Sequence, residues 1–183
     1  MSRIRFATAR ALFETFPKSV TRIAADPTDE PPIVFLKKLS EQEKLVDAVN
    51  FCAYLLPRRE AVWWACGCVR SLLGEIPQSQ AAGLLAAEAW VYEPDNEHRQ
   101  AALDVGNQGD SNDPVNWLVL AAGWSGGMLV SHPQAQTAMP TYMTPRAARI
   151  AIVLGTVKVK PAERTARIQA CIAEGIKLAE TGL

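Results

Sequence analysis

Net charge is what this chain most plainly lacks: its 183 residues carry 19 Lys and Arg against 19 Asp and Glu. With no excess of either sign, charge gives no reason to expect nucleic acid or an anionic membrane surface as a partner. Long apolar runs are missing as well, because charges or turn residues interrupt every hydrophobic segment before the roughly 18 residues that a membrane span requires. That predicts no membrane insertion. The opening MSRIRFATARALFETF has no unbroken apolar core of signal-peptide length, so the expectation is a reduced, cytoplasmic protein. Histidine is scarce, and His98 and His132 have no ligand-pair spacing. No glycine-rich phosphate loop is present, and no paired carboxylates stand out from solvent-facing charge. The four cysteines are Cys52, Cys66, Cys68 and Cys171. Two of them, Cys66 and Cys68, would point about 200° apart on a helix and could not share one tetrahedral ion. They read as buried structural thiols. Together these absences predict no metal, no cofactor and no catalytic residue.

What is present is helix, much of it opened by proline, which is tolerated in a first turn where its missing N–H leaves no bond unmade. The stretch Phe51–Ile76 organises the rest. After Pro57, the residues Val62, Ala65, Cys66, Val69, Leu73 and Ile76 recur at helical spacing, and Ala61, Trp64, Cys68 and Leu72 form a second apolar arc beside them. A helix apolar on two sides is predicted to be central and the most enclosed of the fold. Its remaining arc holds Arg59, Glu60, Trp63, Gly67, Arg70, Ser71 and Gly74.

Taken in order, Thr8–Phe16 predicts a short helix before the turn-rich DPTDEPP, giving a loosely attached arm and linker over 1–32 and a helical domain over 33–183. Ile33–Leu39 is a short apolar piece. Ser40 and Glu43 have capping-box spacing ahead of Leu45, Val46, Val49, Cys52, Ala53 and Leu56. Pro77 opens an Ala- and Leu-rich helix, Pro94 another that closes at Gly106, and Pro114, capped by Asn112 or Asp113, a third that stops at Gly126 and Gly127. Ser125–Thr144 reads as a long loop. Thr144 and Pro145 then start a helix through Ile150–Val159, although the β-branched residues there would also suit a strand. Pro161 starts the last helix. Pro57 and Pro94, like Pro77 and Pro114, lie 37 residues apart, which adds a HEAT-like, repeating-hairpin possibility to the main expectation of an all-α, single-domain helical bundle.

Two constellations bear on function. Gly123-Trp124-Ser125-Gly126-Gly127 fits the G-x-S-x-G elbow of serine hydrolases, which require an acid and then a histidine downstream. Only His132 follows, seven residues later, so a glycine helix stop is the preferred reading and a small serine hydrolase using Ser125 the alternative. The second constellation is Arg58, Arg59, Trp63 and Arg70. Two arginines in a first helical turn oppose the helix dipole, so something must offset them: Glu60, Asp47, Glu93, or an acidic partner beside Trp63. Arginine and tryptophan dominate interface hot spots, which makes this arc, with Trp124 and the loop after it, the candidate surface for another protein. The structural alternative is a neighbouring helix laid across Gly67 and Gly74.

The segments FCAYLLPRREAVWWAC, AAEAWV, NWLVLAAGWSGG and TPRAARIA together resemble an uncharacterised family of bacterial all-helical domains, over most of the chain after Ile33. Some members are encoded near type VI secretion genes. The resemblance implies no catalytic residues. It implies a non-catalytic protein–protein interaction module, an adaptor, chaperone or accessory factor of a secretion system.

Overall fold

The computed structural model describes residues 4–17, 20–132 and 135–183. Nine α-helices occur among them: α1 (Ala9–Thr15), α2 (Pro32–Glu41), α3 (Leu45–Leu55), α4 (Arg58–Leu73), α5 (Gln78–Tyr92), α6 (Asn96–Gly106), α7 (Pro114–Gly123), α8 (Met143–Lys158) and α9 (Pro161–Thr181). The protein is an all-α, single-domain bundle, and among the described residues no helix is long and apolar enough to cross a membrane.

Four of the proline starts hold, while Pro94 lies just before the Asp95 cap of α6 and α8 begins at Met143, ahead of Thr144 and Pro145. Pro57 and Pro77 sit at the N-caps of α4 and α5, while Pro114 and Pro161 lie in the first turns of α7 and α9. Asp113 caps α7 through Val115 N–H at 2.8 Å, and Asp95 caps α6 through His98 N–H at 2.8 Å. The capping box at Ser40 and Glu43 is not formed. Ser40 lies inside α2, whose proline start and buried Phe35, Leu36 and Leu39 make a helix of the apolar piece. Glu43 instead occupies the left-handed region at φ 57°, with Glu43 N–H on Ser40 O at 3.1 Å and Lys44 N–H on Leu39 O at 2.9 Å. That is a Schellman ending, with glutamate at the position where glycine is usual.

Residues 4–32, expected as a loose arm and linker, place Leu12, Phe16 and Ile23 in the core. Ala9 N–H and Arg10 N–H bond to the carbonyls of Glu30 and Thr28, both at 2.9 Å. The long loop after Ser125 is corrected too. It contains an antiparallel ribbon, β1 (Met128–His132) with β2 (Ala135–Ala138), in the register Met128 to Ala138, with Pro133 and Gln134 outside the described residues. The β-branched run from Ile150 is helical through Lys158, with Val159 extended after it, because Ala147, Ala148, Ala151, Ile152 and Gly155 are buried at helical spacing and tertiary packing overrides local preference.

Central is the right word for α4, which packs against α5, α7, α8 and α9. It is not the most enclosed helix. Nine of the eleven residues of α3 and nine of the ten of α7 are buried, against nine of sixteen in α4. Both predicted apolar arcs of α4 are used, and the third is open from Gly67 onward, its Glu60 being buried. Helices distant in sequence also meet, with α9 against α2, α3 and α4, so the chain closes on itself instead of contacting only its sequence neighbours as a repeat array does.

Candidate functional site

The first turn of α4 carries Arg58 and Arg59, and both guanidinium groups are occupied. Arg58 Nη1 donates to the Ser125 carbonyl at 2.6 Å. Arg59 Nε donates to the Val91 carbonyl at 2.6 Å, with Nη2 at 3.4 Å from that of Tyr92. These acceptors lie at or just past the C-terminal ends of α5 and α7, where carbonyls have no helical partner and the dipole is negative. The unfavourable dipole of α4 is thus offset by the favourable ends of two other helices, beside the buried Glu60 of its own first turn. Asp47 accepts instead from Ala24 and Ala25 N–H at 3.1 and 3.2 Å.

The same device recurs. Arg99 Nη1 donates to Gly123 O at the end of α7 (3.1 Å), Arg167 Nη1 to Ser71 O near the end of α4 (2.8 Å), and Arg164 Nη2 to Val159 O just past α8 (3.1 Å). Except for Arg164, five residues from its acceptor, nothing in the sequence pattern signals these bonds, because donor and acceptor belong to elements that only the tertiary fold brings together.

Further along α4 the open arc becomes a cleft against α9, with a volume of about 600 Å³. Trp63, half-buried, forms one wall, and its ring stands edge-on to exposed Tyr92 at 5.8 Å and 69°. Leu178 of α9 lines the cleft, and Gly67 is part of its floor. A Cβ built on Gly67 or Gly74 meets nothing within 4 Å, so no helix crosses either glycine. Gly74 has its own explanation as the end of α4, at φ 71°. Arg70 is held in a two-point pair with Glu88, Nε to Oε1 and Nη2 to Oε2, both at 2.8 Å. That hydrogen bonding raises the Arg70 pKa above its usual value. Lys177 lies 3.9 Å from Glu174 on the same rim. The cleft is therefore lined by indole, aliphatic and thiol groups, and its rim charges are largely self-neutralised.

Fold places the remaining candidates at the end of α7. Trp124 is half-buried, edge-on to Trp117 at 6.2 Å and 74°. Ser125 is buried, and its N–H closes on Ala122 O at 3.1 Å as part of the helix stop. Gly127 follows at φ 80°. The bond from Arg58 to Ser125 O makes this segment adjacent to the first turn of α4, while Trp124 itself does not line the cleft beside Trp63 and Arg70. His98 is tied through Nδ1 to Asp95 Oδ1 at 2.9 Å, and that bond raises its pKa. The His132 side chain lies outside the described residues. Among the described residues, Glu93, Asp95 and His98 bring three metal-capable atoms within 4.8 Å of one another, but the two carboxylates are exposed, and exposed acidic groups often cluster without an ion. The spacing E-x-D-x-x-H is the signal that would have found them.

Fold and site together define a small helical-bundle domain with a lateral cleft whose lining charges are paired with one another. The chain belongs to a family of unknown function, DUF6931, whose sequence model matches residues 35–179. No curated protein and no solved structure matches it.

Proposed function

We propose that this domain is a non-catalytic protein–protein interaction module that receives a large apolar side chain of a partner protein in the cleft between α4 and α9. One observation carries this reading: Gly67 lies in the middle of a central helix with nothing within 4 Å of its missing side chain, beside a half-buried tryptophan. A glycine in a helix interior weakens the helix by about 1 kcal/mol relative to alanine, so an uncovered one calls for an occupant. The Arg70–Glu88 and Lys177–Glu174 pairs leave little net charge to recruit a strongly charged segment, which favours an apolar anchor. Trp63 and Arg70 supply the direct contacts in this proposal, with Arg58 and Arg59 fixing the position of α4 and Trp124 extending the surface. The resemblance to helical domains encoded near type VI secretion genes makes the role of an adaptor, chaperone or accessory factor in a bacterial secretion system the inferred setting.

The test fills the cleft. Gly67→Leu and Trp63→Ala are compared with wild type in affinity capture from the native host, after circular dichroism shows that each is folded. A partner held by wild type is then titrated with each purified variant, and cleft-lining amides of α4 and α9 are followed by hydrogen exchange. The expected result is a loss of about 2 kcal/mol or more for Trp63→Ala, as for an interface hot spot, and a comparable loss for Gly67→Leu. Unchanged affinity in both folded variants, with protection appearing elsewhere, would place the binding surface outside the cleft. Labelling of folded protein at Ser125 by a fluorophosphonate would instead establish the hydrolase alternative.

A further inference from the structure

Cys68 and Cys171 lie across the same cleft from each other, one on α4 and one on α9, and both line it. Each is a free thiol with its residue buried, yet each faces a cavity of about 600 Å³ that small molecules can enter. The two thiols are near enough to perturb each other's ionisation, in opposite directions. The backbone around them is pinned, since Trp64 Nε1 of α4 donates to the Cys171 carbonyl of α9 at 2.7 Å. Cys52 of α3 lies nearby, its Sγ 2.5 Å from where a Cβ on Gly175 would stand. The three sulfurs do not gather tightly enough to form a metal-holding group among the described residues. What the fold offers is a pair.

We infer that Cys68 and Cys171 form a reversible dithiol–disulfide site, oxidised by a small hydroperoxide that enters through the cleft, and that the resulting bond staples α4 to α9. The two thiols are not equivalent. The interaction with Cys68 lowers the Cys171 pKa below that of an ordinary thiol, and Arg167 one turn earlier on α9 adds to the effect. Burial, and after it the neighbouring Cys171, pushes the Cys68 pKa up. Cys171 is therefore the nucleophile and Cys68 the resolving thiol. The Cys171 thiolate attacks the terminal oxygen of the hydroperoxide, the O–O bond breaks, and the alcohol leaves with a proton, giving a sulfenic acid. Cys68 sulfur then attacks the Cys171 sulfur, an S–S bond forms, and hydroxide departs with the Cys68 proton as water. Two thiols lose two electrons and one hydroperoxide becomes one alcohol and one water. A dithiol reductant reverses the step by exchange. Closing the bond brings the two sulfurs to about 2.05 Å.

This chemistry does not depend on whether a partner docks in the cleft, and its test reads the thiols alone. The folded, fully reduced protein is treated with cumene hydroperoxide, digested under non-reducing conditions and mapped by mass spectrometry. The expected result is one linked peptide pair, Cys68 with Cys171, with Cys66 unmodified and the oxidised protein unfolding at a higher denaturant concentration than the reduced one. In Cys68→Ser the reaction should stop at a sulfenic acid on Cys171 that dimedone traps, and in Cys171→Ser no trapping should occur. If either variant fails to fold, wild type carries the test through the linked peptide and its disappearance on treatment with dithiothreitol. Thiols that react only at the rate of global unfolding, or oxidation that leaves Cys68 and Cys171 unlinked, would overturn the inference.

Discussion

Gly67 and Gly175 both occupy helix interiors, and the same substitution at each should act with opposite sign. In an exposed helix position Gly→Ala gains about 0.8–1.0 kcal/mol, because alanine loses less backbone freedom on folding. At Gly67 nothing opposes this, since a Cβ there has no heavy atom within 4 Å. Gly67→Ala should therefore stabilise the domain by close to that amount, a rise of roughly 2–4 °C in Tm for a chain of this size. At Gly175 the new Cβ would stand 2.5 Å from Cys52 Sγ and 2.8 Å from Trp64 Nε1. Neither group can yield cheaply: Cys52 is 0% exposed, and Trp64 is 3% exposed and bonded to the Cys171 carbonyl. Overpacking of this kind costs about 1–3 kcal/mol, which exceeds the propensity gain and leaves Gly175→Ala destabilised by up to about 2 kcal/mol. Urea unfolding followed by tryptophan fluorescence, with m held common, would read both. The reasoning fails if the two variants shift the midpoint equally, or if Gly67→Ala lowers it.

Arg59→Ala should cost about 1.5–3 kcal/mol in the same urea assay, because it leaves the Val91 carbonyl without its charged donor, and Arg59→Lys should recover only part of this through loss of the fork geometry. Glu43→Gly should stabilise by up to about 1 kcal/mol, since a left-handed backbone suits glycine better than glutamate; a lower unfolding midpoint would show that the glutamate side chain contributes more than its strained backbone loses. His98 should titrate above the ordinary histidine value, and Asp95→Asn should return it toward that value, as read from ring proton shifts in NMR. Since the folded pKa is raised, the contribution of this pair is complete below about pH 6.5 and is lost as pH rises through the folded pKa; unchanged titration in Asp95→Asn would refute the assignment.

Local rules recovered most of the helices because their signals are local: Pro57, Pro77, Pro114 and Pro161 mark starts and Asp113 a cap, although α4 stops at Gly74 and not at Ile76 as its apolar spacing suggested. They failed where two local signals compete. Ser40 and Glu43 have the right spacing for a cap, but the earlier start at Pro32 takes Ser40 into α2 and forces the turn onto Glu43. The ribbon at Met128–Ala138 was missed because its strands are short, and a two-stranded hairpin draws its stability from its surroundings. Of the candidate site, Trp63, Gly67 and Arg70 were readable as one stripe of α4. Their partners across the cleft, Cys171 and Leu178, were not, since no spacing rule links residues about a hundred positions apart.

The arginine bonds to helix ends have a consequence for how this domain can be altered. Arg58 reaches Ser125 and Arg167 reaches Ser71, so the end of one helix is completed by a residue from a remote part of the chain. Removing α9 would uncap α4, and removing the segment around α7 would strip Arg58 of its acceptor. Modularity of the sort that lets solenoids gain or lose a hairpin at a time is therefore denied to this architecture. Variation in length should be confined to the connections, and a fragment lacking its last helix should lose structure throughout instead of only at the cut.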